Sequence, residues 1–259
     1  MRRIGRIGLA LWLPVLLVFL WWFSTASGGT FFFPSLSLIL DRFRYHFLTP
    51  QITQSLLPSL ANLAMGFLLA CLIGIVLGVL LGLNAWIRAS VAPGVHFFRS
   101  LPGPALLPLF MVLFGIGVEM KVLIIAFTAF FVVLLNTIDG VRGNEPRWDD
   151  VCRSYEIPAW RRLAFVVVPG ASPQIMTGVR IALQVSLLLM VVSEMLASTG
   201  GIGFLILQSQ QQFKIPDMWA GIIMLGLLGF ILNLILDPIE RGILAWHEAT
   251  HESARNSTV

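Results

Sequence analysis

Charged side chains are scarce in this 259-residue chain: Asp, Glu, Lys and Arg make up 12% of it, and 57% of the residues are hydrophobic. A soluble domain carries roughly a quarter charged residues, so we expect most of this chain to lie in lipid. Lysine is nearly missing, since only Lys121 and Lys214 occur, and arginine therefore supplies most of the positive charge. In a membrane protein this surplus is typical of cytoplasmic loops facing anionic lipid, and we expect no nucleic-acid partner.

A phosphate-binding loop and a nucleophilic serine motif are missing as well. The chain contains no Gly-Lys pair, so it has no phosphate-binding loop and is not expected to bind ATP itself. No serine stands in a Gly-x-Ser-x-Gly setting. Cys71 lies in an apolar run and Cys152 in a polar loop, which makes a disulfide framework implausible. We predict a protein without catalytic residues, metal or bound cofactor, and we interpret His247 and His251 as part of a solvated tail rather than a metal site.

Long hydrophobic runs dominate what is present. About 20 apolar residues cross the hydrocarbon core as a helix, and six runs approach or exceed that length, at residues 7–25, 56–83, 93–115, 118–138, 173–197 and 218–244. The first is too long for the apolar region of a signal peptide and is predicted to be retained. Pro102, Pro104 and Pro108 interrupt the third, which we expect to be bent and interior. The predicted fold class is an all-α membrane protein with about six transmembrane helices.

Arginine placement predicts the orientation of these spans. Arg2, Arg3 and Arg6 precede the first span, and five further arginines lie between the fourth and fifth spans: Arg142, Arg147, Arg153, Arg161 and Arg162. Six alternating spans put both groups on one side, which we predict to be the cytoplasm, together with both termini. The predicted segments are 1–54 (first span and external segment), 55–246 (transmembrane core) and 247–259 (cytoplasmic tail).

Two further patterns each leave two interpretations open. In the external segment, Leu36, Leu40, Phe43 and Phe47 recur at helical spacing, which is typical of a helix on the membrane surface but also of an ordinary packed loop. Small residues recur every fourth position at Gly66, Ala70, Gly74, Gly78 and Gly82. Such a stripe lets another helix approach closely, either as a gate or dimer seam or as tight packing within one subunit.

The stretch "DDVCRSYEIPAWRRLAFVVVP" at residues 149–169 is unusually polar for the second half of the chain. Asp149 and Asp150 suit the start of a short helix, and Pro158 suits the first turn of a second one. Trp160 and Arg161 belong to the residue types that dominate protein contacts. We therefore predict a helix–bend–helix that docks in a partner's groove, with a basic loop at the lipid interface as the alternative.

The same stretch resembles the EAA loop of ABC importer permeases, whose pattern is EAA, three residues, Gly, nine residues and I-x-L-P. In that register Asp150-Val151-Cys152 replaces EAA, and Val166 to Pro169 replaces I-x-L-P. Glu156 stands where the family has glycine, which puts the local turn in question; Pro158 is expected to supply the break instead. Stretches at 98–122, 136–141, 169–183, 193–206 and 239–246 are similar to the nitrate, sulfonate and taurine branch of these permeases.

This resemblance implies a type I importer permease fold and a set of partners. Two permease chains, as a homodimer or a mixed pair, are expected to surround a path, with two cytoplasmic ATPases holding ATP and Mg below them. A periplasmic or lipid-anchored binding protein is expected to deliver the substrate. The permease itself is expected in the bacterial inner membrane. Residues 150–163 are expected to form the coupling helix, and the contacts to the ATPase are assigned to Asp150, Val151, Cys152, Arg153, Glu156, Pro158, Trp160, Arg161 and Pro169.

Polar residues inside the spans are candidates for the translocation path, because polar groups at membrane depth are costly and face an interior or a cavity. They are Asn62, Arg99, Asn136, Gln184, Ser186, Ser193 and Glu194. Arg99 could attract an anion, pair with Glu194, or reach the cytoplasmic interface. The predicted substrate is a small anion such as a sulfonate, taurine or nitrate. An uncharged pyrimidine or flavin precursor, a non-transporting scaffold and a transporter without ATPase stay open as alternatives.

Overall fold

The computed structural model describes residues 12–13, 15–16, 18–25, 29–144 and 146–256, without the side chains of 146, 149 and 246–256. The backbone is helical at 18–24. Beyond it the helices are α1 Leu36–Phe47, α2 Ile52–Ser55, α3 Leu57–Leu83, α4 Ala85–Ser100, α5 Leu107–Phe114, α6 Val118–Arg142, α7 Pro146–Ser154, α8 Ala159–Arg162, α9 Val168–Leu196, α10 Ile202–Gln211 and α11 Ile215–Asn256. A 3₁₀ turn at Gly103–Leu106 precedes α5, and a π-helical turn at Leu163–Val167 precedes α9.

Within the described residues, four helical stretches are long and apolar enough to cross a membrane: Ile52–Leu83, Val118–Arg142, Ala159–Leu196 and Ile215–Ala245. They match the second, fourth, fifth and sixth predicted spans. The predicted third span is a pair of helices, Ala85–Ser100 and Gly103–Phe114, bent by 88°; the bend is confirmed. Pro102 cannot donate a helical hydrogen bond and forces an extended backbone at Leu101. Within the predicted first span, 7–25, residues 7–11, 14 and 17 lie outside the described residues, and the backbone is helical at 12–13, 15–16 and 18–24.

By their contacts the described residues form two units. One comprises the residues up to Pro58 together with Thr199–Gly226, and the other comprises Ser59–Ser198 together with the residues from Leu227 onward. These units are defined by contacts, whereas the predicted segments 1–54, 55–246 and 247–259 are defined by the positions of the spans along the chain. The predicted segments therefore stay predictions.

The stripe of small residues in α3 packs within the chain, against α6. A Cβ added at Gly74 would lie 2.9 Å from Val133, and at Gly82 it would lie 2.6 Å from Val141. The residue numbers of the facing positions rise together along the two helices, so α3 and α6 run parallel. The stripe is therefore a packing surface inside one subunit, the second of the two interpretations, and not a dimer seam. Because α3 and α6 are parallel, the bent pair between them must return the chain across the membrane, and it counts as one broken span.

Helices α6 and α9 run antiparallel. Gly178 faces Asn136, and Gly140 faces Ala171 and Gln174, so residue numbers rise on one helix as they fall on the other. Helix α11 is antiparallel to α9, since Arg180 bonds Asp237 and Glu240 while Gly229 faces Leu187. One end of this bundle thus carries the last residues of α3, α6 and α11 and the first residues of α9. We call it the loop end, because residues 143–167 connect α6 to α9 there.

In the other unit, α1 packs against protein. Ile39 and Phe47 are fully buried, whereas Leu40 is 42% exposed. His46 Nε2 lies 2.8 Å from Asp217 Oδ1, which ties α1 to the start of α11. The predicted short helix is thus present, and part of its apolar face packs within this unit; its position on the membrane surface stays a prediction. The glycines at 200–201 permit a close backbone approach, because the Gly201 amide donates to the Gln54 carbonyl at 2.9 Å.

Candidate functional site

The polar loop folds as α7, a tight turn, α8 and the π-helical turn, so the predicted helix–bend–helix is present. Helix α7 begins at Pro146, earlier than the acidic pair, because proline suits the first helical turn. Two hydrogen bonds close the turn: the Glu156 amide donates to Arg153 O at 3.1 Å, and the Ile157 amide donates to Cys152 O at 2.9 Å. This pattern is a Schellman motif, in which the residue after the helix adopts the left-handed conformation.

Glu156 is that left-handed residue, with φ of 49°. The position thus has the backbone that glycine adopts without penalty, and the turn forms although glycine is missing. Pro158 is not the bend itself: it is the extended residue at the start of α8, with φ of −62° and ψ of 145°. The sequence prediction that Pro158 substitutes for the glycine is therefore wrong, because the hydrogen-bonded turn is complete before residue 158.

We expect Glu156→Gly to stabilise the loop. A left-handed L-residue costs about 1–2 kcal/mol, and the greater freedom of glycine in the unfolded chain removes about 0.4–1 kcal/mol of that gain. Slower hydrogen exchange at the amides of residues 156 and 157 is the expected result. Glu156→Ala removes the same charge but keeps the Cβ atom, so it should give no such protection. Equal protection in both variants would assign the effect to charge rather than to backbone strain.

The base of the loop is clamped by a residue that the sequence prediction missed. Asn144 Nδ2 donates to Val167 O at 3.1 Å, joining the end of α6 to the π-helical turn before α9. A Cβ added at Gly170 would lie 2.1 Å from Asn144 Oδ1, so only glycine leaves room for this clamp. π-Helical turns leave backbone carbonyls displaced from the α-helical pattern and are frequent at functional sites. The two ends of the loop, at Asn144 and Val167, are therefore joined to each other where α6 ends and α9 begins.

The loop exposes aromatic rings next to arginines. Trp160 is 61% exposed, and the Arg161 guanidinium lies 5.2 Å from its ring centroid. Trp148, which the sequence prediction omitted, is 50% exposed beside Arg147. Of the predicted contact residues, Asp150, Val151, Arg153, Glu156, Pro158, Trp160 and Arg161 are exposed, Pro169 is half-buried, and Cys152 is buried. Cys152 therefore supports the turn from inside, and its side chain is not on the exposed surface of the loop.

At the opposite end of the same bundle, Glu194 is fully buried. It accepts a hydrogen bond from Ser59 Oγ at 2.8 Å and interacts electrostatically with Lys121, whose Nζ donates to Ser198 Oγ at 2.7 Å. Buried charges in a membrane need such partners. The cluster joins α3, α6 and α9. Among the described residues, no ion pair links Glu194 to Arg99.

The other predicted path residues differ in burial and in their hydrogen-bond partners. Asn136 donates to Val132 O at 2.9 Å and accepts from Gln174 at 3.0 Å, so it joins α6 to α9. Asn62, Ser186 and Ser193 are buried, and Gln184 is exposed. The structure thus does not gather the predicted path residues into one pocket.

Arg99 lines an open cleft of about 580 Å³ between α4, α6 and α9. Phe98, Phe127 and Phe131 provide aromatic walls, and Ser100 and Thr128 provide hydroxyl groups. The Arg99 side chain makes no ion pair within the part of the chain that is described. Its guanidinium is therefore available to an anion, since it carries several donors in a planar fork. A cleft of this size suits a small solute.

Arg180 was not singled out from the sequence, which predicts that His247 and His251 are part of a solvated tail. Arg180 donates to Asp237 and Glu240, which fastens α9 to α11. His247, Glu248 and His251 have the His-Glu-x-x-His spacing of some zinc sites. The backbone there is helical, but these side chains are outside the described set, and no group of three metal-ligating residues occurs among the described side chains.

Comparison with known proteins places these features in a family. The chain matches the family model described as binding-protein-dependent transport system inner membrane component over residues 70–244. It is 30% identical to the putative aliphatic sulfonates transport permease protein SsuC of Bacillus subtilis, over 92% of this chain and 87% of that protein. It is 31% identical to the taurine transport system permease protein TauC of Escherichia coli, over 78% and 73%. The bicarbonate transport system permease protein CmpB of Synechococcus elongatus is 32% identical, over 87% and 85%.

A solved structure has the same fold. The inward-facing MetNI methionine ABC transporter matches 79% of this chain and 96% of its own matched chain, with a TM-score of 0.62 and 21% identity. The protein is thus an all-α inner-membrane permease of the type I importer fold. It belongs to the binding-protein-dependent transport system inner membrane component family and is the permease subunit of an ABC importer.

Proposed function

We propose that this permease imports a small oxyanion, foremost an organic sulfonate, by ATP-driven alternating access. A separate ATPase pair binds ATP and Mg and docks on the loop. Two copies of this chain, or this chain and a related one, enclose the path. A binding protein delivers the solute from the other side of the membrane. The Arg99 cleft is the observation that carries the substrate class, because it presents an unpaired guanidinium among aromatic walls.

The orientation follows from charge at the loop end. Arg142, Arg147, Arg153, Arg161 and Arg162 all lie at the end of α6 or within the connection to α9. An excess of arginine near the ends of spans favours the cytoplasmic side. The loop and the C-terminal end of α11 are therefore proposed to be cytoplasmic. An even number of spans, counting the predicted first one, puts the N-terminus on the same side.

Movement of the ATPases is proposed to reach the spans through the two ends of the loop, at Asn144 and Val167. Exposed Trp160 and Trp148 supply the apolar surface for an ATPase groove, and tryptophan and arginine are the types that dominate such contacts. Closure of the ATPase pair would move the loop, and the Asn144–Val167 clamp carries that displacement to α6 and α9. ATP then shifts the balance between inward-open and outward-open states because it binds one of them more tightly.

The substrate proposal rests on Arg99 and on the solutes named for the relatives. Aliphatic sulfonates, taurine and bicarbonate differ in shape but share an oxyanion group. A guanidinium matches such oxygens with paired hydrogen bonds. The cleft can therefore select for an oxyanion, while the partner binding protein chooses among oxyanions.

The test is solute uptake into proteoliposomes by the complete complex of permease, ATPase and binding protein. Arg99→Gln is expected to lower taurine uptake about tenfold or more, because a hydrogen bond to a charged group contributes about 1.5–3 kcal/mol. Arg99→Lys keeps the charge and should retain part of the uptake. Arg241→Gln removes an arginine away from the cleft and should leave uptake unchanged. Undiminished taurine uptake by Arg99→Gln, or uptake of an uncharged solute by wild type instead, would contradict the proposed substrate class.

A further inference from the structure

A second basic cleft, of about 370 Å³, lies between α4 and the last turns of α6 at the loop end. Arg88, His96 and Arg142 line it, together with Arg99 at its inner edge and a single carboxylate, that of Asp139. Arg142 and Asp139 are 4.0 Å apart and both are more than half exposed, so this pair is weak. The cleft therefore carries a surplus of positive charge at the loop end of the bundle, where basic side chains attract anionic lipid headgroups.

Arg88 is held in place before any ligand arrives. Its Nη1 donates to Leu81 O and Gly82 O, both at 3.1 Å, and so caps the last carbonyls of α3. The hydrogens on Nε and Nη2 have no acceptor among the described residues. A guanidinium anchored through one nitrogen keeps a planar pair of donors for an oxyanion, and little side-chain entropy remains to be lost on binding.

An apolar groove of about 580 Å³ adjoins the basic cleft. The two share Leu81, Val91 and Val95, so they form one continuous surface along α4. The groove reaches Phe130 on α6, and the cleft reaches Arg142 at its end. These residues are twelve apart, which corresponds to about 18 Å along a helix. One leaflet of hydrocarbon is about 15 Å thick.

We propose that this surface binds one anionic phospholipid, with its phosphate at Arg88 and Arg142 and an acyl chain in the groove beside Val91 and Phe130. A soluble oxyanion would need the basic cleft alone and would leave the adjoining groove without a role. A zwitterionic lipid would fill the groove but would leave the surplus charge uncompensated. Basic pockets between membrane helices are known to take anionic headgroups. The lipid would hold α4, the first half of the broken span, against α3 and α6.

The experiment uses the full chain in nanodiscs that contain a mixture of phosphatidylglycerol and phosphatidylcholine. The protein is released from the nanodiscs, and native mass spectrometry identifies the lipids that stay bound to it. Wild type is expected to retain phosphatidylglycerol in preference to phosphatidylcholine. Arg142→Gln should lower that preference about fivefold and Arg88→Gln/Arg142→Gln further, since each basic residue near anionic lipid contributes about 1 kcal/mol. Val91→Trp fills the groove without changing charge and should also lower retention. Arg241→Gln, which removes an arginine elsewhere, should behave as wild type.

The Arg88→Gln/Arg142→Gln variant loses the hydrogen bonds that cap α3, so a folding defect could lower its lipid retention. The single variant Arg142→Gln avoids this problem, because the exposed Arg142 does not cap α3. Equal retention by wild type and Arg142→Gln would overturn the proposal, as would equal retention of the two lipids by wild type. Release of phosphatidylglycerol by millimolar taurine or inorganic phosphate would assign the cleft to a soluble oxyanion and would overturn the lipid assignment. Taurine uptake is measured separately, so loss of the lipid site and loss of the Arg99 function are distinguishable.

Discussion

The double variant Asp150→Arg/Trp160→Ala is expected to purify without the ATPase that accompanies the wild-type chain. Trp160 is 61% exposed on the loop, and truncating a central aromatic contact costs at least about 2 kcal/mol of binding energy. Reversing the charge of exposed Asp150 adds like-charge repulsion wherever the partner surface carries a complementary positive group. Together these changes should remove ATP-driven uptake, while the permease itself remains folded because neither side chain is part of its core.

Affinity purification in detergent measures this directly, with ATP hydrolysis of the eluted complex as a second readout. Trp22→Ala/Asp41→Arg is the matched control: it truncates an exposed tryptophan and reverses an exposed carboxylate outside the loop. The control should retain the ATPase. Retention by the loop variant as well would show that the ATPase docks elsewhere, and the exposed aromatic surface would then require another partner.

Glu194→Ala is expected to lower the free energy of unfolding by about 3–5 kcal/mol, a large loss for a single substitution. Removing this fully buried carboxylate leaves the charge of Lys121 without its nearby counter-charge and takes away the oxygen to which Ser59 Oγ donates. Thermal unfolding of the purified chain in detergent should therefore shift to lower temperature. Ser193→Ala is the neighbouring control, since the Ser193 hydroxyl donates to the carbonyl of Met190 in its own helix.

A double-mutant cycle separates the electrostatic coupling between Lys121 and Glu194 from the other effects of each substitution. Glu194→Gln and Lys121→Met each leave one buried charge, whereas the double variant leaves neither. The double variant should therefore be more stable than the sum of the two single losses predicts. Strictly additive losses would show that Lys121 and Glu194 do not stabilise one another.

The hydropathy of the chain was sufficient to locate its spans. Four predicted spans reappear as long apolar helices, and Pro102, Pro104 and Pro108 together predicted the bend in a fifth. These are local properties, since a helix in lipid satisfies its own backbone hydrogen bonds. The spacing of the 149–169 stretch likewise identified the loop. It could not show how the turn closes at Glu156, because a left-handed glutamate is not favoured by its own residue type and exists only within the hydrogen-bonded turn.

The amino-acid sequence by itself determined that this is a helical membrane permease with a polar, arginine-rich loop, because hydrophobicity and motif spacing are properties of consecutive residues. Only the tertiary structure decided which groups meet. The glycines of α3 face α6 rather than another subunit, Glu194 lies with Lys121 rather than Arg99, and Asn144 clamps the loop through Val167. Each of these contacts depends on the direction and relative register of two helices distant in sequence, and a small shift between packed helices would replace every one of them.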